Sequence, residues 1–163
     1  MASRRLSRER ALQMTYQWAI GGAEPPKVVQ EYFEYLAGDV PQSVDAFAER
    51  LFLAVTESKD ELDAIIERHA TKRWAPDRFA LVVRQLLRLA ISEMRSGETP
   101  AVVVINEALE IGKRFDGEES TRLVNGILEA ARAEMVGPEA DRQERRSQRG
   151  RKRRSQRRTT RTR

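Results

Sequence analysis

Cysteine is absent from the 163 residues, and histidine occurs once, as His69. Those two absences exclude a disulfide framework, a thiol nucleophile and a Cys/His zinc site. A serine triad would need His69 as its base, and no nucleophile-elbow sequence accompanies it. Glycine-rich phosphate loops of the GxGxxG or GxxxxGKS/T kind are also missing. No uninterrupted apolar stretch exceeds five residues, Ala101–Ile105 being one, against the roughly 20 that cross a bilayer. Arginines followed by Ala11–Ala23 loosely imitate a signal peptide, but Gln13, Thr15 and Gln17 interrupt the apolar segment. The expectation is a soluble, cytoplasmic, non-catalytic protein with no cofactor and no metal.

Charge is plentiful but unevenly placed. The net +5 conceals 12 Lys/Arg against one acid (Glu144) in residues 142–163, a local +11. Residues 1–10 hold Arg4, Arg5, Arg8 and Arg10 against Glu9, or +3, which leaves −9 for 11–141. An acidic body thus lies between two basic ends, which excludes a uniformly basic nucleic-acid-binding globule.

Helical punctuation recurs along the chain and alternating strand patterns are scarce. A first helix is expected over about 5–20, with Leu6, Leu12, Tyr16 and Ala19/Ile20 near one stripe and Gly21-Gly22 as its stop. Pro25-Pro26 open a short second helix that closes near Gly38. A third follows Pro41-Gln42-Ser43, with Val44, Phe47, Ala48, Leu51, Phe52 and Val55 at helical spacing. Ser58-Lys59-Asp60-Glu61 reads as a capping box before a fourth. Pro76-Asp77 begin the fifth and most apolar helix, which should lie at the centre. Pro100 begins a sixth, and a seventh runs over about 118–135 to Gly137-Pro138. Beyond Ala140 no apolar residue follows, a composition that does not repay the entropy of ordering. The domains expected are 1–138, helical, and 139–163, a disordered basic tail. The acidic clusters Asp60-Glu61-Asp63 and Asp116-Glu118-Glu119 read as helix-start and surface carboxylates.

Four arginines at the start of a helix oppose its dipole, which suggests a phosphate-binding role for Arg4, Arg5, Arg8 and Arg10. Spacing alone places Tyr16 in the core, although its ring is also suited to stacking on an unpaired base. The tail signals electrostatic affinity without base discrimination. Residue chemistry by itself therefore reaches a small helical RNA- or protein-binding adaptor.

A more specific pattern lies at 84–128. The segments Arg88-Leu89-Ala90-Ile91-Ser92-Glu93-Met94, Val103-Val104-Ile105-Asn106-Glu107-Ala108, Lys113-Arg114-Phe115 and Val124-Asn125-Gly126-Ile127-Leu128, together with the arginine-rich start through Trp18, resemble the NusB family of transcription antitermination factors over about 4–135. The resemblance implies two three-helix bundles packed crosswise. It also implies binding of boxA-type RNA together with the ribosomal protein NusE, within an antitermination complex of RNA polymerase and other Nus factors. Carried over by position, the implied RNA surface is Arg4, Arg5, Arg8, Arg10, Gln13, Tyr16, Glu119, Ser120, Arg122 and Leu123. The implied NusE surface is Asp77, Val83, Arg84 and Arg88. Val83 stands where the family often has a glutamate, and Leu123 where it often has a phenylalanine.

Simpler roles stand beside these. Asn106 and Glu107 would cap or bridge helices, Asn125 would satisfy buried backbone, and Arg88 would pair with Glu93 or Glu107. Asn-Gly is ordinarily a hairpin signal, yet helical spacing continues on both sides of Asn125-Gly126. Two other functional classes fit parts of the pattern. One is the front domain of an RNA cytosine methyltransferase, which would need a downstream catalytic domain with a cysteine. The other is a homodimeric RNA-binding regulator without antitermination activity.

Overall fold

The Ser3 hydroxyl accepts the Leu6 N–H and starts the first helix, α1 (Arg4–Gly21), which Gly22 ends in the left-handed region at φ 66°. In this computed structural model the described residues are 3–38, 45–70, 79–114 and 117–159. Prolines open α2 (Pro25–Glu31), which widens at its exit into a π-helical turn, Tyr32–Leu36. Asp45 caps α3 (Ala46–Glu57) by accepting the Ala48 N–H at 3.2 Å. Then follow α4 (Lys59–His69), α5 (Leu81–Ser96) and α6 (Ala101–Gly112), the last entered from Pro100. A final helix, α7 (Glu118–Thr159), is interrupted at Gly137, whose φ of 74° is not helical. The described residues are all-helical, as the spacing predicts.

One local expectation needs correction. The Ser58 side chain caps nothing, and Glu61 reaches forward to Arg95 at 2.6 Å rather than back to Ser58. The capping box is present as sequence and absent as structure. Beyond Gly137 the backbone of 138–159 is helical. The expected starts at Pro41 and at Pro76-Asp77 lie outside the described residues.

Residues 1–131 form one unit and 132–163 a second. Within the first, a larger buried cluster draws on α1, α3, α4, α5, α6 and the first turns of α7. A smaller one joins Met14 of α1 to Val28, Val29, Tyr32, Phe33, Ala48 and Phe52. α1 and α3 supply both clusters, so this pair is the shared wall of the domain. α5 packs on α1, α3, α4 and α6 and buries ten side chains, including Leu86, Leu87 and Ile91, which confirms its central place. Where α6 ends against α5, a Cβ on Gly112 would meet Leu86 Cδ2 at 3.2 Å.

Charged groups are built into these walls. Arg88 Nε and Nη2 donate to the two oxygens of Asp63 at 2.7 and 2.8 Å, while its Nη1 donates to Gln85 at 2.9 Å. Arg10 Nη1 meets Asp45 at 2.6 Å. Burial pushes both carboxyls up. Arg10, Ser7 and the Ala48 N–H outweigh it for Asp45, and Arg88 and Lys59 for Asp63, so both are held below the usual carboxylate range.

A carboxyl with a depressed folded pKa contributes stability that is complete above its unfolded value of about 3.9 and is lost as pH falls through the folded value. Stability of the parent chain should therefore decline on acidification below about pH 4. The double variant Asp45→Asn/Asp63→Asn should be weaker at pH 7 and lose less on acidification. Urea melts from pH 7 to 2.5 read this directly, and an unchanged acid slope would remove both groups from the account.

Candidate nucleic-acid interface

The arginines at the start of α1 divide into two kinds. Arg8 points inward to α5, where it donates to Glu93 through Nε (2.9 and 3.2 Å) and Nη2 (2.6 Å), with only 7% and 3% of the two side chains exposed. Arg10 is likewise spent on Asp45, itself 1% exposed as a side chain. The expectation that all four arginines face a ligand is thus corrected: the donors of Arg8 and Arg10 neutralise interior carboxylates. Burying such a pair is tolerated because each charge meets its opposite in near-ideal hydrogen-bond geometry.

Arg4 and Arg5 remain at the surface. Arg5 makes a two-pronged contact with Glu107 of α6 at 2.8 and 3.0 Å and stays 44% exposed. That hydrogen bond raises the Arg5 pKa further and lowers that of Glu107. Glu107 therefore bridges helices, as its polar position predicts. The Arg4 guanidinium carbon lies 3.9 Å from the centre of the Phe47 ring. Arg4, Arg5 and Arg8 share a groove of about 620 Å³ with Phe47, Thr99 and Val103.

Gln13 and Tyr16 lie elsewhere. They line a second groove, of about 660 Å³, with Leu12, Tyr32, Leu36 and Val82. Tyr32 donates its hydroxyl proton to Gln13 Oε1. Tyr16 is 39% exposed rather than in the core, and Ile20 is more exposed still. The buried stripe of α1 is instead Ser7, Arg8, Arg10, Ala11, Leu12, Met14 and Thr15. Polar residues with interior partners rotate the helix away from its apolar periodicity.

At the start of α7, Glu119 and Arg122 are exposed and Ser120 is half-buried beside α5 and α6. Leu123 is buried in the main core, which corrects its place on an RNA surface. Asn125 and Gly126 are exposed, so Asn125 does not serve buried backbone. No atom outside the local helix lies within 4 Å of a Cβ built on Gly126. Nothing within the described residues therefore requires glycine there.

The implied partner residues fare unevenly. Val83 is buried in the main core, and Arg88 is buried against Asp63 and Gln85 rather than paired with Glu93 or Glu107. Arg84 is half-buried, 3.5 Å from Asp63 and beside the Phe79 ring. Asp77 lies outside the described residues. Sequence reasoning missed Phe47 as a surface group because its spacing in α3 matches that of core residues.

Replacing Arg8 with alanine would leave the Glu93 carboxylate buried and unpaired, which costs roughly 3 kcal/mol. Arg5→Ala should leave the thermal melt close to that of the parent, since exposed pairs contribute little. Equal melts for the two variants would refute the division. Gly126→Ala should raise stability by about 0.5–1 kcal/mol, the usual gain at an exposed mid-helix site. A lower melting temperature would mean that the glycine is structurally required.

Residues 5–133 match the NusB family. The Transcription antitermination protein NusB of Solibacter usitatus is 41% identical over 140 residues, covering 86% of this chain and 95% of that protein. Its counterpart in Bacillus mycoides is 42% identical over 126 residues, covering 77% and 93%. Among solved structures, T. maritima NusB overlays with a TM-score of 0.71 at 29% identity, covering 86% of this chain and 98% of that one. A structure of antitermination factors NusB and NusE in complex with dsRNA overlays at 0.69 and 25% identity, covering 79% and 95%. With the family match spanning nearly all of the 1–131 unit, the chain belongs to the NusB family.

Proposed function

We propose that this chain is a transcription antitermination factor that binds boxA-type RNA together with NusE and promotes read-through by RNA polymerase, notably in ribosomal RNA operons. The observation that carries this reading is the likeness to antitermination proteins along 95% of a relative's length, joined to the fold shared with a NusB–NusE–RNA complex. The role is one of binding, without catalysis or cofactor, and belongs to the cytoplasm, where transcription proceeds.

The two grooves suit two kinds of partner. Arg4 and Arg5, with Glu119, Ser120 and Arg122 of α7, are the accessible polar groups for RNA, and arginine forks match phosphate geometry. Gln13 is the exposed polar rim of the second groove. The apolar wall there, with Tyr16 and Leu36 39% and 61% exposed, has the aromatic character of a protein docking site. NusE is its proposed occupant, and an acidic body of −9 favours a basic ribosomal protein. Residues 1–138 act as the binding module. The tail, 139–163, adds phosphate affinity without sequence preference.

An RNA titration with and without NusE tests this. Single-stranded boxA RNA should bind more tightly with NusE present, and in preference to a scrambled strand and to a duplex. Equal binding of boxA and scrambled strands with NusE would defeat the specificity. Removing 139–163 should flatten the dependence of affinity on salt while preserving boxA discrimination.

A further inference from the structure

We propose that Phe47 is a stacking platform for one unpaired base of single-stranded RNA, bound in the groove between the start of α1, the first turn of α3 and the start of α6. The inference rests on the RNA-binding reading above and adds to it a site on α3.

Phe47 is held on one side and open on the other. It is half-buried and packs against the main core, so its orientation is set before any ligand arrives. Asp45, two residues earlier, fixes the first turn of α3 through its cap to Ala48 and its pair with buried Arg10. A ring immobilised in this way loses little entropy on stacking.

Its open side faces the groove of about 620 Å³, within the size range of small-ligand sites. Three guanidiniums surround the ring: Arg4 at 3.9 Å, Arg8 at 5.6 Å and Arg50 at 5.8 Å from its centre. Arg8 is tied to Glu93, and Arg50 lies at 4.0 Å from Glu98. Arg4 is exposed and rests on the ring. A guanidinium seated at that distance marks the ring face as one that accepts a flat, polarisable group. A base takes the same face when Arg4 swings to a neighbouring phosphate, so a stacking contact and a charged contact arise from one exchange. Val103, 44% exposed, gives the groove an apolar wall, and the Ser3 and Thr99 hydroxyls give it polar edges. A pocket for a free anion would not need the ring.

The test compares Phe47→Leu, which retains core packing but removes the ring, with Phe47→Trp, which retains a stacking face. Affinity of the full chain for boxA single strands is read by fluorescence anisotropy in the presence of NusE. Loss of one stacked base should weaken Phe47→Leu by about tenfold, while Phe47→Trp stays within a few-fold of the parent. Parent binding with Phe47→Leu unchanged would overturn the platform and leave the RNA-binding reading intact. A parent chain that binds no boxA RNA would overturn both. If Phe47→Leu does not fold, photocrosslinking of the unaltered protein to halogenated-uridine RNA decides, with the adduct mapped by mass spectrometry. An adduct on Phe47 supports the platform, and adducts only elsewhere overturn it.

Discussion

Arginine inside a small helical domain is a costly choice, and α1 makes it twice. Arg8 and Arg10 lie in the second turn of α1, and both side chains are withdrawn from water. They are tolerable only because α5 brings Glu93 and the cap of α3 brings Asp45 to within 2.6 Å. Buried pairs of this kind add little net stability compared with apolar packing, but they penalise every arrangement that leaves a charge alone. They therefore act as registers: α1 has one rotation and one height against α3 and α5 at which both carboxylates are met. The shared wall between the two buried clusters is set by these two contacts.

That rotation explains the outer surface as much as the inner one. With Arg8, Ala11 and Thr15 turned inward, Arg4 and Arg5 emerge on one side, and Tyr16 and Ile20 are left in solvent. One helix thereby borders two grooves of different chemistry, one carrying arginines and a phenylalanine ring, the other mainly aromatic and aliphatic. Such a separation would suit the proposed pairing of an RNA with a basic protein, because a phosphate and a cationic protein favour surfaces of opposite charge. The π-helical turn at Tyr32–Leu36 serves the second groove. It leaves Tyr35 and Leu36 exposed while Tyr32 and Phe33 remain buried.

Residues whose effect is local announced themselves in the sequence. Gly22, Gly97 and Gly137 all adopt positive φ where the helical patterns end or break, and the apolar density of α5 marked it as the central element. Failures occurred where the deciding partner is remote in sequence. Glu93 is 85 residues from Arg8, and Glu107 is 102 from Arg5. No periodicity within α1 can reveal that an arginine has a carboxylate waiting inside. Of the inferred stripe, Leu12 is buried, while Leu6, Tyr16 and Ile20 are left exposed for that reason. Ser58 failed differently: its four-residue motif is correct, but Arg95 offers Glu61 a charged partner that the backbone N–H does not match. Leu123 shows the limit of carrying positions across, since it was placed on the RNA surface by resemblance and lies in the core.

The tail raises a separate question of what charge accomplishes. A helix of mostly polar residues receives its stability from local bonds alone, and positive charges three and four residues apart repel one another along it. Phosphates bound along residues 139–159 would relieve that repulsion and so favour the helix. That relief is the same for any sequence of phosphates, so the RNA affinity proposed for the +11 segment would apply to every RNA alike. Discrimination must then come from contacts that sense a base. The place proposed for such contacts is the few accessible polar and aromatic groups beside α1, where the net charge is smallest and the geometry most constrained.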